Sequence, residues 1–249
     1  MRLNKGAQEM LGQKLENAIL ITGAGQRIGR FLAQKFLDET DYPVVFSYRT
    51  ERVAVDELRA AGALGIEVDF TQPKSLHNFC QTLTERVGSL RAVIHNASLW
   101  VPEEMLGQKP EWMQAMFDVH VHAPYRLNQI CLPFLKAGNS EQKDIIALSD
   151  CHTSEGKAEY AAYLSSKAAL ENLMLSHARA FAPAVKVNTL APGLVCFNDG
   201  DSDAYRLDRL AESAIHQPAG KESIWRAVQF LMNSPTSTGS RIEIGHLKS

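Results

Sequence analysis

The chain has 249 residues, 45% of them hydrophobic and 22% charged, with a formal net charge of −2. That length suits one large α/β domain, and the near-neutral balance gives no electrostatic reason to expect nucleic acid or an anionic membrane as partner. Cys80, Cys131, Cys151 and Cys196 lie far apart with no C-x-x-C pair, as free thiols in a reducing cytosol would.

In chain order, residues 1–15 are polar and read as a flexible tail without the apolar segment of a signal peptide. The domain is expected over 16–249. Ala18-Ile19-Leu20-Ile21 is a buried-strand pattern, followed by a glycine-rich turn and an amphipathic helix over about 28–38. Strands are expected at 43–47, 65–68, 92–94, 144–148 and 185–188, and helices near 53–61, 75–87, 110–135 and 158–181. Short apolar strands alternating with helices predict an α/β fold: a single-domain, Rossmann-like, doubly wound parallel sheet flanked by helices. The polar stretch 194–217 reads as a substrate lid. No apolar run reaches the roughly 18 residues of a membrane-spanning helix, so a soluble, cytoplasmic protein is expected.

Thr22-Gly23-Ala24-Gly25-Gln26-Arg27-Ile28-Gly29 lies between the first strand and first helix, where glycines let the backbone approach a pyrophosphate at a helix N-terminus. Arg27 stands where the spacing asks for a middle glycine. About twenty residues on, an acid usually holds a ribose 2′-hydroxyl. Here Ser47-Tyr48-Arg49-Thr50 offers no acid before Glu51, and Ser47, Arg49 and Thr50 suit a 2′-phosphate, which points to NADPH. Asp69 ends the third strand beside the expected adenine, and His95-Asn96-Ala97-Ser98 ends the fourth, where cofactor and reactant meet.

Tyr163-Leu164-Ser165-Ser166-Lys167 carries the chemistry. Four residues of helix put the phenol and the ammonium on one face, where the lysine is expected to depress the phenol pKa and let Tyr163 move a proton. Asp150 lies thirteen residues before the tyrosine and is expected to work with it. His120 and His122 are two positions apart on a helix, point to different faces and have no third ligand at a useful spacing, so no metal is expected. Trp112 and Trp225 sit in apolar helical settings and read as core or interface. Tyr160 reads as helix packing or substrate-side surface.

The glycine loop, Asn96-Ala97, Tyr163-x-x-x-Lys167 and Ala191-Pro192-Gly193 together resemble the short-chain dehydrogenase/reductase family from Leu15 onward. Three departures coincide: Arg27 for glycine, Ser98 after Asn96-Ala97, and Asp150 for the usual serine. That triple resembles the pteridine reductases, and His95-Asn-Ala-Ser-x-Trp100 with His120 is most similar to their bacterial dihydromonapterin reductase branch. The resemblance implies NADPH-dependent reduction of 7,8-dihydromonapterin to tetrahydromonapterin, with dihydrofolate as a weaker substrate. It implies Asp150, Tyr163 and Lys167 as catalytic residues. Cofactor contacts would come from Gly23, Gln26, Arg27, Ile28, Ser47, Arg49, Thr50, Asp69, Asn96, Ala97, Ser98, Tyr163, Lys167, Pro192 and Gly193. The pterin would meet Arg27, Ser98, Asp150 and Tyr163, with Trp100 stacked on it. His120 stands where the family usually has an asparagine, and can serve a proton relay. A homotetramer through the two long helices is also implied. The competing readings are a reductase of another ketone or enone, and an NADPH-sensing protein without catalysis.

Overall fold

The computed structural model describes residues 13–197 and 200–245. Residues 1–12 of the expected tail lie outside it. Leu15 is already tied to the body, its N–H donating to the Arg86 carbonyl at 2.8 Å and its backbone bridging to Val87.

The apolar runs become β1 (Ala18–Ile21), β2 (Val44–Tyr48), β3 (Leu64–Glu67), β4 (Leu90–His95), β5 (Asp144–Leu148) and β6 (Lys186–Pro192), joined by β7 (Arg241–Ile244). Among the described residues these form one sheet in the order β3-β2-β1-β4-β5-β6-β7, every pair parallel. The five inner strands are buried throughout, as continuous apolar strands covered on both faces must be. The order reverses between β1 and β4, which opens a crevice at the carboxyl ends of the strands.

The helices are α1 (Arg27–Glu39), α2 (Val53–Ala60), α3 (Pro73–Arg86), α4 (Glu103–Leu106), α5 (Glu111–Phe117), α6 (Ala123–Ala137), α7 (Ala161–Phe181), α8 (Asp203–Ala211) and α9 (Lys221–Asn233). Strand alternation divides the core. Leu20, Val93, Ile145 and Val187 pack with α3, α6 and α7, whereas Ile19, Ile21, Ile94 and Ile146 pack with α1, α2 and α9. Trp225 is core, as expected; its ring meets Phe36 edge-on at 4.8 Å and its Nε1–H donates to Glu39 at 3.0 Å.

The helix expected over 110–135 is divided. Between α5 and α6 lies a π turn, Asp118–His122, where the Ala123 N–H reaches back to the Asp118 carbonyl. Pro124 cannot donate to His120, so the regular ladder cannot run through this point, and the wider turn takes its place. The helix expected from 158 begins with a 3₁₀ turn, Ala158–Tyr160, before α7. β6 runs on to Pro192 because β7 pairs alongside it. The polar segment 194–217 contains α8, capped by Ser202, whose Oγ accepts the Tyr205 N–H at 3.2 Å. Residues 198 and 199 of that segment lie outside the described residues. No helix among the described residues is long and apolar enough to cross a membrane.

At the amino ends of β4, β5 and β6, far from the crevice, Asp144 sits between two cations. Arg91 Nη1 lies 2.6 Å from Oδ2 and Lys186 Nζ 3.0 Å from Oδ1, with all three side chains nearly inaccessible.

Candidate active site

The glycine loop is knitted to the end of β4. Thr22 Oγ1 accepts the N–H groups of Asn96 and Ala97, each at 3.0 Å, and Asn96 Nδ2 donates to the carbonyls of Thr22 (3.0 Å) and Gly23 (2.9 Å). Gly23 has φ +68°, and a Cβ there would stand 2.6 Å from Ala97 Cα. A Cβ on Gly29 would stand 2.5 Å from the Gly23 carbonyl oxygen. Only glycine permits both approaches. Asn96 thus braces the loop with its amide nitrogen. Ser47 departs from its expected place facing a 2′-phosphate: it is fully buried, and its Oγ accepts the Gly23 N–H at 2.9 Å. It is the penultimate residue of β2, an inner strand, and its side chain turns inward to the loop.

Gln26 is the extended N-cap of α1 and makes no side-chain cap to the first N–H groups of that helix. Ile28 is half-buried behind them. Arg27 is exposed and has φ +53°. The spacing asks for glycine here because the backbone is left-handed, and an arginine holds that conformation at a cost of about 1–3 kcal/mol. Arg27→Gly is therefore expected to raise stability by about 1 kcal/mol in chemical denaturation and to lower kcat/KM by about tenfold or more. A loss of stability would show that contacts of the arginine side chain hold the turn.

At the end of β2, Arg49 and Thr50 are exposed. Glu51, the first acid, is already engaged: Arg59 lies 2.9 Å from Oε1 and the Tyr48 hydroxyl donates to Oε1 at 2.7 Å. Asp69 shapes its own turn, Oδ1 accepting the Thr71 N–H at 3.0 Å and Oγ1–H at 2.7 Å.

The candidate reacting centre lies where β5 meets α7. Asp150 is extended and caps a 3₁₀ turn, Cys151–Ser154; Oδ1 accepts the His152 N–H at 2.9 Å, which leaves Oδ2 3.4 Å from the Tyr163 hydroxyl. Lys167 is buried, donates to the Leu148 carbonyl at 2.9 Å, and has its Nζ 5.8 Å from the Tyr163 ring centre. The expected depression of the phenol is reversed. Burial first, then the Asp150 charge, push Tyr163 far above its ordinary value, so the hydroxyl keeps its proton. Burial also lowers the Lys167 ammonium to about 8, against the pull of Asp150 and Glu171. The pair is thus set to donate a proton.

Sequence reasoning missed what holds Asp150. Arg241 of β7 donates Nη2 to the carbonyls of Asp150 and Cys151, both at 3.3 Å, and to Thr153 Oγ1 at 3.0 Å, while its Nε donates to Glu171 of α7 at 3.0 Å. No local pattern marks a contact that spans about ninety residues of chain. Asp150, Cys151 and His152 bring three ligand-type atoms within 4.8 Å of one another. Burial, with the charge of Asp150, pushes the Cys151 thiol up to about 12.

Above this centre, Ser98 and Trp100 follow β4. Trp100 is 55% exposed, and its ring lies 5.4 Å from that of Tyr160. Tyr160 is half-buried beside it. His120 is buried and His122 exposed, so the two histidines do face apart. Pro192 and Gly193 close the far side, the Gly193 N–H donating to the Ile244 carbonyl at 2.9 Å.

A doubly wound sheet whose carboxyl ends gather an uncapped helix start, a buried lysine and a protonated phenol defines a dinucleotide-dependent oxidoreductase. The profile of the short chain dehydrogenases matches residues 17–200, and the chain belongs to that family. It is 40% identical to the dihydromonapterin reductase of Klebsiella pneumoniae subsp. pneumoniae over 229 residues, which is 92% of this chain and 95% of that protein. The dihydromonapterin reductase of Enterobacter sp. strain 638 is 38% identical over the same shares. Among solved structures, FolM alternative dihydrofolate reductase 1 from Brucella canis, complexed with NADP, superposes with a TM-score of 0.78, at 19% identity, over 93% of this chain and 94% of that one. The last likeness is one of fold.

Proposed function

We propose that this protein reduces a dihydropterin with NADPH, 7,8-dihydromonapterin to tetrahydromonapterin foremost and dihydrofolate more weakly. The observation that carries the reading is Asp150 beside a protonated Tyr163, with Trp100 exposed on the segment after β4. A flat, amide-rich heterocycle calls for an aromatic platform and for charged hydrogen-bonding groups at its rim. Trp100 supplies the first; Asp150, Arg27 and Ser98 supply the second. The relatives named dihydromonapterin reductase support the same substrate class.

The residues suit NADPH. Uncapped N–H groups at the start of α1 suit its pyrophosphate, and Arg49 and Thr50 suit its 2′-phosphate. Glu51, which would otherwise be the acid for a free 2′-hydroxyl, is held by Arg59 and Tyr48. When bound, the cofactor supplies the hydride that goes to C6. Tyr163 donates its proton to N5. Lys167 raises the local positive potential beneath the phenol and stabilises the phenolate left behind. Asp150 orients the ring nitrogens of the pterin and, through the Tyr163 hydroxyl, passes a proton inward from solvent. The 194–217 segment forms the lid over the pterin side chain. A cytoplasmic homotetramer built on α6 and α7, where Tyr125 and Leu175 are exposed, belongs to the same reading.

The test follows NADPH oxidation with dihydromonapterin, dihydrobiopterin, dihydrofolate and a simple diketone, and repeats it with NADH. A dihydropterin preferred by about tenfold or more in kcat/KM, about 1.4 kcal/mol, is expected. Turnover of the diketone alone would assign Asp150 and Arg27 to another substrate, and equal rates with NADH would remove the role given to Arg49.

A further inference from the structure

We propose that His120 is a fixed, uncharged strut that sets the position of the pterin platform, and that it carries no proton during turnover. The inference rests on the pterin reading only for the identity of the molecule being positioned. The hydrogen bonds themselves determine the state of the ring. The Leu99 N–H points at Nε2 from 3.1 Å, and a backbone N–H can only donate, so Nε2 bears no hydrogen. The Ser98 hydroxyl lies 3.0 Å from the same nitrogen and also meets the Tyr163 hydroxyl. Nδ1 then holds the ring proton and donates to Ser166 Oγ at 2.8 Å, while Ser166 gives its own hydrogen to the Tyr163 carbonyl at 2.6 Å. From the Leu99 N–H through the ring to the Tyr163 carbonyl, each hydrogen has one place to go.

A relay needs a ring that can take up a proton on one side and release it on the other. Here a second ring proton would meet the Leu99 N–H head-on. It would also put a charge in a buried site beside Lys167; burial and that lysine both hold the imidazole well below its ordinary value. The Tyr163 ring packs edge-on against it at 5.6 Å. The imidazole therefore links two pieces of the site at a fixed distance. One is the segment after β4, which carries Ser98, Leu99 and Trp100. The other is α7 at Ser166, three residues beyond Tyr163 and one before Lys167. The π turn at 118–122, a feature that recurs at functional sites, is what presents the ring. His120 is thus a positioning residue: it places the platform over the proton donor without touching the reacting atoms.

The test has two arms. Long-range ¹H–¹⁵N correlation spectra of the intact ¹⁵N-labelled protein, with and without NADPH, are expected to show His120 as the Nδ1–H tautomer, unchanged between about pH 5.5 and 8.5 although a free imidazole titrates near 6.5. The signal is assigned by its loss in His120→Asn. This arm needs no substrate, so it stands even where no dihydropterin is turned over. In the second arm, His120→Gln is expected to raise KM for the dihydropterin about tenfold, with NADPH affinity and the shape of the kcat–pH profile unchanged. An imidazolium or Nε2–H signal in the wild type overturns the strut. So does a His120→Gln variant that keeps KM and instead loses kcat together with one limb of the pH profile, the behaviour of a proton carrier.

Discussion

Tyr163→Phe is expected to lower kcat for dihydropterin reduction by about 10²–10⁴-fold, the usual range for loss of a positioned general acid. The substitution removes one oxygen and little else. The ring is buried among Val101, Met116 and Leu164 and packs on His120, contacts a phenylalanine keeps. The hydroxyl meets the side chains of Ser98 and of Asp150, the latter at a long 3.4 Å, and neither contact spans the core, so its loss should not unfold the protein. Affinity for NADPH and the thermal midpoint should stay close to wild type, which separates loss of chemistry from loss of structure. The direction of the proton matters. Burial and Asp150 hold the phenol protonated, the state a reductase needs at N5, and not the phenolate that an alcohol-oxidising site would keep. A variant with activity within about tenfold of wild type would mean that the N5 proton comes from elsewhere. Asp150→Asn in the same background would then show whether the carboxyl group delivers it.

The centre of the fold was legible because continuous apolar strands have few alternatives. Residues 18–21 and 144–148 are strands in sequence and structure alike, and their alternation alone assigns Leu20 and Ile21 to opposite faces. The edge was not. Arg241-Ile242-Glu243-Ile244 is short, charged and half-buried, so nothing local sets it apart from a loop until β6 pairs with it. The site divides in the same way. Asp150, Tyr163 and Lys167, the residues proposed to do chemistry, could be picked from spacing, and the fold brings them together. The balance of charge and burial on them could not, because it depends on neighbours such as Leu148 and Arg241 that only the fold brings near. Ser47 shows the converse error. A polar residue at a strand end reads as ligand-facing, yet here it is spent on the Gly23 N–H. Arg27 looked anomalous as a residue type; its φ of +53° shows that the anomaly lies in the backbone.

Asp144→Asn is expected to destabilise the protein by about 3–5 kcal/mol, the cost of breaking a buried ion pair from one side. The amide keeps the shape and one acceptor but leaves Arg91 and Lys186 without the charge that holds them at 2.6 and 3.0 Å. Denaturant unfolding would show it as a lower midpoint at unchanged slope. Some compensation is built in. Arg91 Nη2 also donates to the Met232 carbonyl at 2.8 Å, and Lys186 Nζ to the carbonyls of Leu231 and Ser234, both at 2.7 Å. These carbonyls close the C-terminal end of α9, whose dipole favours cations, so the effect should fall nearer the lower bound. A loss below about 1 kcal/mol would mean that the helix end alone carries both charges. The triad therefore joins β4, β5 and β6 to α9 at the end of the sheet opposite the crevice, and kcat of the folded variant should match wild type. If kcat fell as well, the strand register that pairs His95 with Ala147, just before Asn96 and Asp150, would have to depend on this distant clasp, and stability and catalysis would share one determinant.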